Sequence, residues 1–147
     1  MEQFPQIYLY RRVVQAKLFI DNHFANTLDL DNMAGEASFS KYHFIRLFKN
    51  IYGQTPHKYL TKVRMGHAKL MLSEHVSVTD VCFAVGFDSL SSFTALFKKY
   101  TGLTPSAFQL QQQQRKSDVA ARPLRFIPNC FVENTGWAIN SNFQEAV

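Results

Sequence analysis

The chain repeats itself. Phe44-Ile-Arg-Leu47-Phe48-Lys49-Asn-Ile-Tyr-Gly53-Gln-Thr55-Pro56 returns 49 residues later as Phe93-Thr-Ala-Leu96-Phe97-Lys98-Lys-Tyr-Thr-Gly102-Leu-Thr104-Pro105, with seven positions identical. Tyr59 and Phe108 then match as aromatics. Agreement at one fixed separation means that a single supersecondary unit is used twice. Any fold for this chain must accommodate two copies of it.

Each copy reads as helix. Phe44, Leu47, Phe48 and Ile51 fall on one apolar face, as do Phe93, Leu96, Phe97 and Tyr100. Gly53 and Gly102 stand where a helix ends in a residue of positive φ. Thr55-Pro56 and Thr104-Pro105 follow, each an N-cap with proline at the first helical position. A shorter helix precedes each copy. The first runs from about Leu30 through Met33, Ala34 and Ala37. The second is opened by Ser77-Val-Thr-Asp80, which has the form of a capping box, and carries Val81, Cys82 and Val85. Gly86 ends it, and Asp88 or Ser89 caps the next helix. Each half is therefore a short helix, a tight turn and a second helix, the helix-turn-helix arrangement.

Between the halves, Pro56 to Leu72 reads as a longer helix packing through Tyr59, Leu60, Val63, Ala68, Leu70 and Met71. At ~1.5 Å per residue it spans roughly 25 Å. A further helix covers about residues 6–23, with Val13, Ala16, Ile20 and Phe24 on one face. The expected fold class is all-α: seven helices forming two helix-turn-helix subdomains joined by a long linker helix, plus an irregular C-terminal tail. The expected domain covers 6–111, with subdomain one at about 6–54, the linker helix at about 55–72 and subdomain two at about 77–111. The tail is 112–147. Gln111 to Gln114 reads as fraying helix and then linker. Leu124 to Ile127 and Cys130 to Val132 read as two short strands.

Charge adds a second constraint. The overall balance is +5, too mild to indicate a partner. Between Glu36 and Glu74, however, no acidic residue occurs, while Lys41, Arg46, Lys49, Lys58, Lys62, Arg64 and Lys69 all do. That stretch carries +7. The remainder holds nine basic and eleven acidic residues, a balance of −2. Clustered positive charge is the footprint of a polyanion partner, or else a solvated helical face.

The spaced motifs resemble the AraC/XylS family of bacterial transcription regulators. The resemblance rests on F-x-x-x-F-K and G-x-[TS]-P in both copies, joined by a helix with Tyr59, Arg64 and Ala68. Its most diagnostic part is Val78-Thr-Asp-Val-Cys-Phe-Ala-Val-Gly86-Phe87 followed by Phe93, Phe97-Lys98-Lys99 and Gly102-Leu-Thr-Pro105. It covers about Tyr8 to Gln111. No effector-binding barrel precedes the domain, so the chain looks like the stand-alone members. The resemblance implies double-stranded DNA as partner and a place in the cytoplasm on the bacterial nucleoid. Two reading helices on one rigid body suit successive major grooves, which recur on one face about every 34 Å, so binding as a monomer is expected. RNA polymerase is a further partner under the alternative reading, a protein-interaction module.

By resemblance the base-reading positions are Tyr42, Ile45 and Arg46 in the first half and Ser91, Ser92 and Ala95 in the second. A guanidinium at Arg46 can bond guanine O6 and N7 together. Tyr42 and Ile45 suit thymine methyl groups. Members of the family commonly carry arginine where Ala95 stands, so the second half is expected to read sequence less, or to rely on backbone contact and DNA shape. Phosphate contacts are expected from Lys41, His43, Lys49, Lys98 and Lys99. Others come from the helix starts at Thr55, His57 and Lys58 and at Thr104 and Ser106, where free backbone N–H groups attract anions.

Other classes find no support. His23, His43, His57, His67 and His75 lack companions at metal-ligand spacing, and no glycine-rich phosphate loop occurs. No metal, no cofactor and no catalytic residue is expected, and the chain is not read as an enzyme. Related tandem domains in alkyl-damage repair proteins carry a nucleophilic cysteine. Cys82, however, occupies a small apolar position of a packed helix, and no base neighbours Cys130. No apolar run approaches the ~18 residues of a membrane span, and Met1-Glu2-Gln3-Phe4-Pro5 has no signal-peptide character. The alternative to a DNA reader is a protein-interaction module acting through its tail, with Phe126, Phe131 and Trp137, or through RNA polymerase.

Overall fold

A computed structural model describes residues 3–37 and 40–123. The described residues form α1 (Gln3–His23), α2 (Leu30–Ala37), α3 (Lys41–Tyr52), α4 (Pro56–Ser73), α5 (Val78–Ala84), α6 (Leu90–Thr101) and α7 (Pro105–Ala121), with no strand among them. A first compact unit ends at Gln109 and a second begins at Leu110, so α7 passes from one into the other.

Local chemistry sets the helix ends. The Ser40 hydroxyl accepts from the His43 amide at 3.4 Å and opens α3. Ser89 does the same for α6 through the Ser92 amide, also at 3.4 Å. Thr55 and Thr104 cap α4 and α7 through the amides of Lys58 and Ala107. Helices α3 and α6 both stop on a left-handed glycine, Gly53 at φ 72° and Gly102 at φ 81°, whose amides return to Lys49 O and Lys98 O. Only glycine adopts that φ at no steric cost. At α5 the box is altered. The Ser77 hydroxyl accepts from the Asp80 amide at 3.2 Å and donates to the Asp80 carboxylate at 2.6 Å.

Two cores result. The first gathers Val13, Ala16 and Ile20 of α1, Ala34 of α2, Phe44 and Phe48 of α3, and Leu60 of α4. The second gathers Met65, Ala68 and Leu72 of α4, Val81 and Cys82 of α5, Val85, and Phe93 and Phe97 of α6. The repeat is visible in their geometry. Phe44 and Phe48 are fully buried with ring centroids 5.7 Å apart, and so are Phe93 and Phe97, also at 5.7 Å. Linker helix α4 belongs to both cores, Leu60 to one and Met65, Ala68 and Leu72 to the other. It therefore packs on both halves.

Three expectations need correction. Helix α1 begins at Gln3 rather than residue 6, because Pro5 lies in the first turn, where no backbone donor is needed. Helix α7 does not fray at the glutamines but continues to Ala121. Gln, Arg, Lys and Ala are all good helix formers, and no breaker occurs before Pro123. Leu70 is exposed, and Met65 and Leu72 take the core positions instead. Counting ~100° per residue from Ala68, Met65 and Leu72 lie within about 60° of it, whereas Leu70 lies about 160° away. The two strands expected at 124–127 and 130–132 lie outside the described residues, as do Phe126, Phe131 and Trp137.

Candidate nucleic-acid interface

Helices α3 and α6 bury their phenylalanine pairs and turn the opposite face to solvent. On α3 that face carries Tyr42, which is 77% exposed, with Arg46, Lys49 and Asn50 also exposed. Ile45 and His43 are half-buried at its margin. Lys41, also half-buried, is ion-paired to Asp31 of α2 at 3.1 Å, a surface pair of small worth that a phosphate can displace. On α6 the same face carries Ser91, Ser92, Ala95, Lys98 and Lys99, all exposed. Ser91 and Ser89 share a hydroxyl hydrogen bond at 2.8 Å. The two faces are built alike and furnished differently. The first offers an arginine and an aromatic side chain, and the second offers small polar groups followed by two lysines.

Thr55 and Thr104 stand at the starts of α4 and α7. Pro56 and Pro105 are buried, so the first turns of α4 and α7 sit firmly on the core. His57, Lys58 and Ser106 are exposed beside them, and Thr55 and Thr104 are half-buried.

Arg64 is the residue that its sequence context misrepresents. It belongs to the basic stretch, yet it is tied down. Its Nε donates to Phe24 O at 2.7 Å and its Nη2 to Asn26 O at 2.9 Å. Its guanidinium lies 5.5 Å from the centroid of Phe87. Burial pushes its pKa down, and the charge of Asp88 opposes that shift. It stands on α4 four residues beyond Leu60 and four before Ala68, on the helix face turned to the cores, a placement that becomes legible only once the two cores are known. Nearby, the Tyr59 hydroxyl donates to Asp21 at 2.5 Å, and Lys17 pairs with the same carboxylate at 2.7 Å.

Cys82 is buried, and burial raises its thiol pKa, which leaves it inert. Cys130 lies outside the described residues. No group of three His, Cys, Asp or Glu side chains among the described residues is placed to hold a metal. No described helix is long and apolar enough to cross a membrane.

A family model described as a helix-turn-helix domain matches residues 33–111 of the chain, more than half of its length. The chain is also 32% identical over 94 residues to the HTH-type transcriptional activator AarP of Providencia stuartii, covering 63% of this chain and 70% of AarP. It belongs to the AraC-type helix-turn-helix family of transcriptional regulators. The fold agrees. A transcriptional regulator from Chromobacterium violaceum with an AraC-type DNA-binding domain superposes with a TM-score of 0.64 at 24% identity, over 71% of this chain and 95% of that one. The DNA-binding domain of AdpA, a global transcriptional factor solved in complex with a target DNA, superposes with a TM-score of 0.65 at 24% identity. That match covers 76% of this chain and 96% of AdpA's domain. Several other relatives are longer, and the AraC-type chain spans about a third to a half of them.

Proposed function

We propose that this chain is a sequence-specific DNA-binding regulator whose helices α3 and α6 enter successive major grooves on one face of a duplex. The observation that carries the reading is the repeated exposed helix face, held twice above an identical phenylalanine pair within one compact unit. Grooves on one face recur about every 34 Å, and a linker helix shared by both cores joins the two readers in one compact unit. One chain then covers about two turns of DNA as a monomer. The DNA complex of AdpA supports this use of the fold.

In this reading Tyr42, Ile45 and Arg46 read bases, and Ser91, Ser92 and Ala95 approach the second groove with less to say. Lys41, His43, Lys49, Lys98 and Lys99 meet phosphates, as do the helix starts at Thr55, His57, Lys58, Thr104 and Ser106. The domain spans 6–111. RNA polymerase is the second partner, and the protein works on the nucleoid in the cytoplasm. It performs no catalysis.

Arg46→Ala tests the assignment. Its loss is expected to cost about 1–3 kcal/mol on a selected site, or about 5- to 150-fold in affinity, and little on random duplex. An equal loss on both sequences reassigns Arg46 to phosphate. Affinity is expected to fall steeply with salt through counterion release. A protein that binds no duplex at low salt contradicts the reading.

A further inference from the structure

The two halves meet at one joint, and three elements build it. The first is the loop after α1. Its carbonyls at Phe24 and Asn26 lie just beyond the C-terminus of α1, where the macrodipole favours a cation. The second is α4, which supplies Arg64 to both carbonyls and stacks His67 on Phe24 at 4.0 Å with the rings 7° from parallel. The third is the turn between α5 and α6. Gly86 sits there at φ 95°, and a Cβ on it would lie 2.8 Å from Ala25 O and 3.0 Å from both Phe24 O and Arg64 Nη2. Phe87 adds its ring face to the guanidinium. Phe24 itself packs against both cores. Arg64 thus sits between the end of α1 in the first half and the helix-turn-helix turn of the second.

We propose that Arg64 is a positioning residue: without touching DNA, it sets the orientation of α6 relative to α3 and so the half-site spacing that the protein accepts. This rests on the DNA reading above. A planar fork bonded to two fixed carbonyls and stacked on a ring resists rotation in a way that a packed methylene chain does not. The charge of Arg64 is spent inside the protein, and the basic stretch has one fewer phosphate contact than its composition indicates.

The test uses the full chain and a duplex site selected from random sequence. Affinities are measured for that site, for versions with one or two base pairs inserted or deleted between the half-sites, and for the α3 half-site alone. Each inserted pair turns the second groove by about 35°. The wild type is expected to lose about tenfold or more per base pair of altered spacing. Arg64→Met is expected to lose about tenfold on the selected site, to keep half-site affinity within about twofold, and to show a flattened spacing profile. Arg64→Lys, a point donor without the fork, is expected to fall between them.

A second readout needs no DNA. Spin labels on Asn50→Cys and Tyr100→Cys, in a Cys130→Ser background, are expected to give a narrow distance distribution in the wild type and a broad one in Arg64→Met. An unchanged spacing profile and an unchanged distance distribution overturn the proposal. So does an equal loss on half-site and full site. A wild type that binds no duplex fails at the DNA reading itself and takes the proposal with it, whereas wild-type binding that ignores spacing overturns the proposal alone.

Discussion

Arg46 and Arg64 belong to the same basic stretch, yet the fold leaves one exposed and binds the other to two backbone carbonyls. Sequence charge has no way to separate them, because the difference lies in which face of its helix each occupies. Tyr59 makes a similar point about aromatic residues. Its hydroxyl donates to Asp21, anchoring α4 to α1. Tyr59→Phe is expected to destabilise the protein by about 1–2 kcal/mol at neutral pH in urea titrations. Burial, followed by the hydrogen bond to Asp21, raises the Tyr59 pKa. Its contribution is therefore complete below the ordinary tyrosine pKa of about 10 and is lost as pH rises through the raised value. Melts from neutral to strongly alkaline pH are expected to show a shallower alkaline loss in Tyr59→Phe than in the wild type.

At the scale of elements, caps and breakers were the most legible signals. Thr55, Ser77, Ser89 and Thr104 each accept the amide hydrogen bond that their position implies. The glycine stops of α3 and α6 were equally plain, because left-handed backbone selects the residue. What could not be read was where a helix without a breaker ends, hence the underestimated α7. Nor could the rotation of α4 be read, because both of its sides carry apolar residues and only the presence of two cores selects one. The glycines supply a graded prediction. Gly102 has open space around its missing Cβ, so Gly102→Ala is expected to cost about 1 kcal/mol for conformation alone. Gly86 adds a backbone oxygen at 2.8 Å. Gly86→Ala is therefore expected to cost about 2–4 kcal/mol by thermal or urea unfolding.

For the whole molecule, the repeat predicted two similar halves, and the structure adds how they are joined. Helix α4 serves both cores, and Phe24, Arg64 and Gly86 close the joint. None of these contacts has a local signature, because each links residues about 20 to 60 positions apart. The asymmetry of the two exposed faces was legible, since it is a matter of side-chain identity on matched positions. On the proposed reading, α3 carries most of the sequence preference and α6 adds affinity and register. The central claim is that one chain places two helices in consecutive major grooves. Hydroxyl-radical footprinting on a selected duplex at low salt, with stoichiometry measured in the same buffer, tests it most directly. One chain per duplex, protecting two patches on one face about one helical turn apart, is the expected result. Protection of a single groove, or two chains required for the paired pattern, would contradict it.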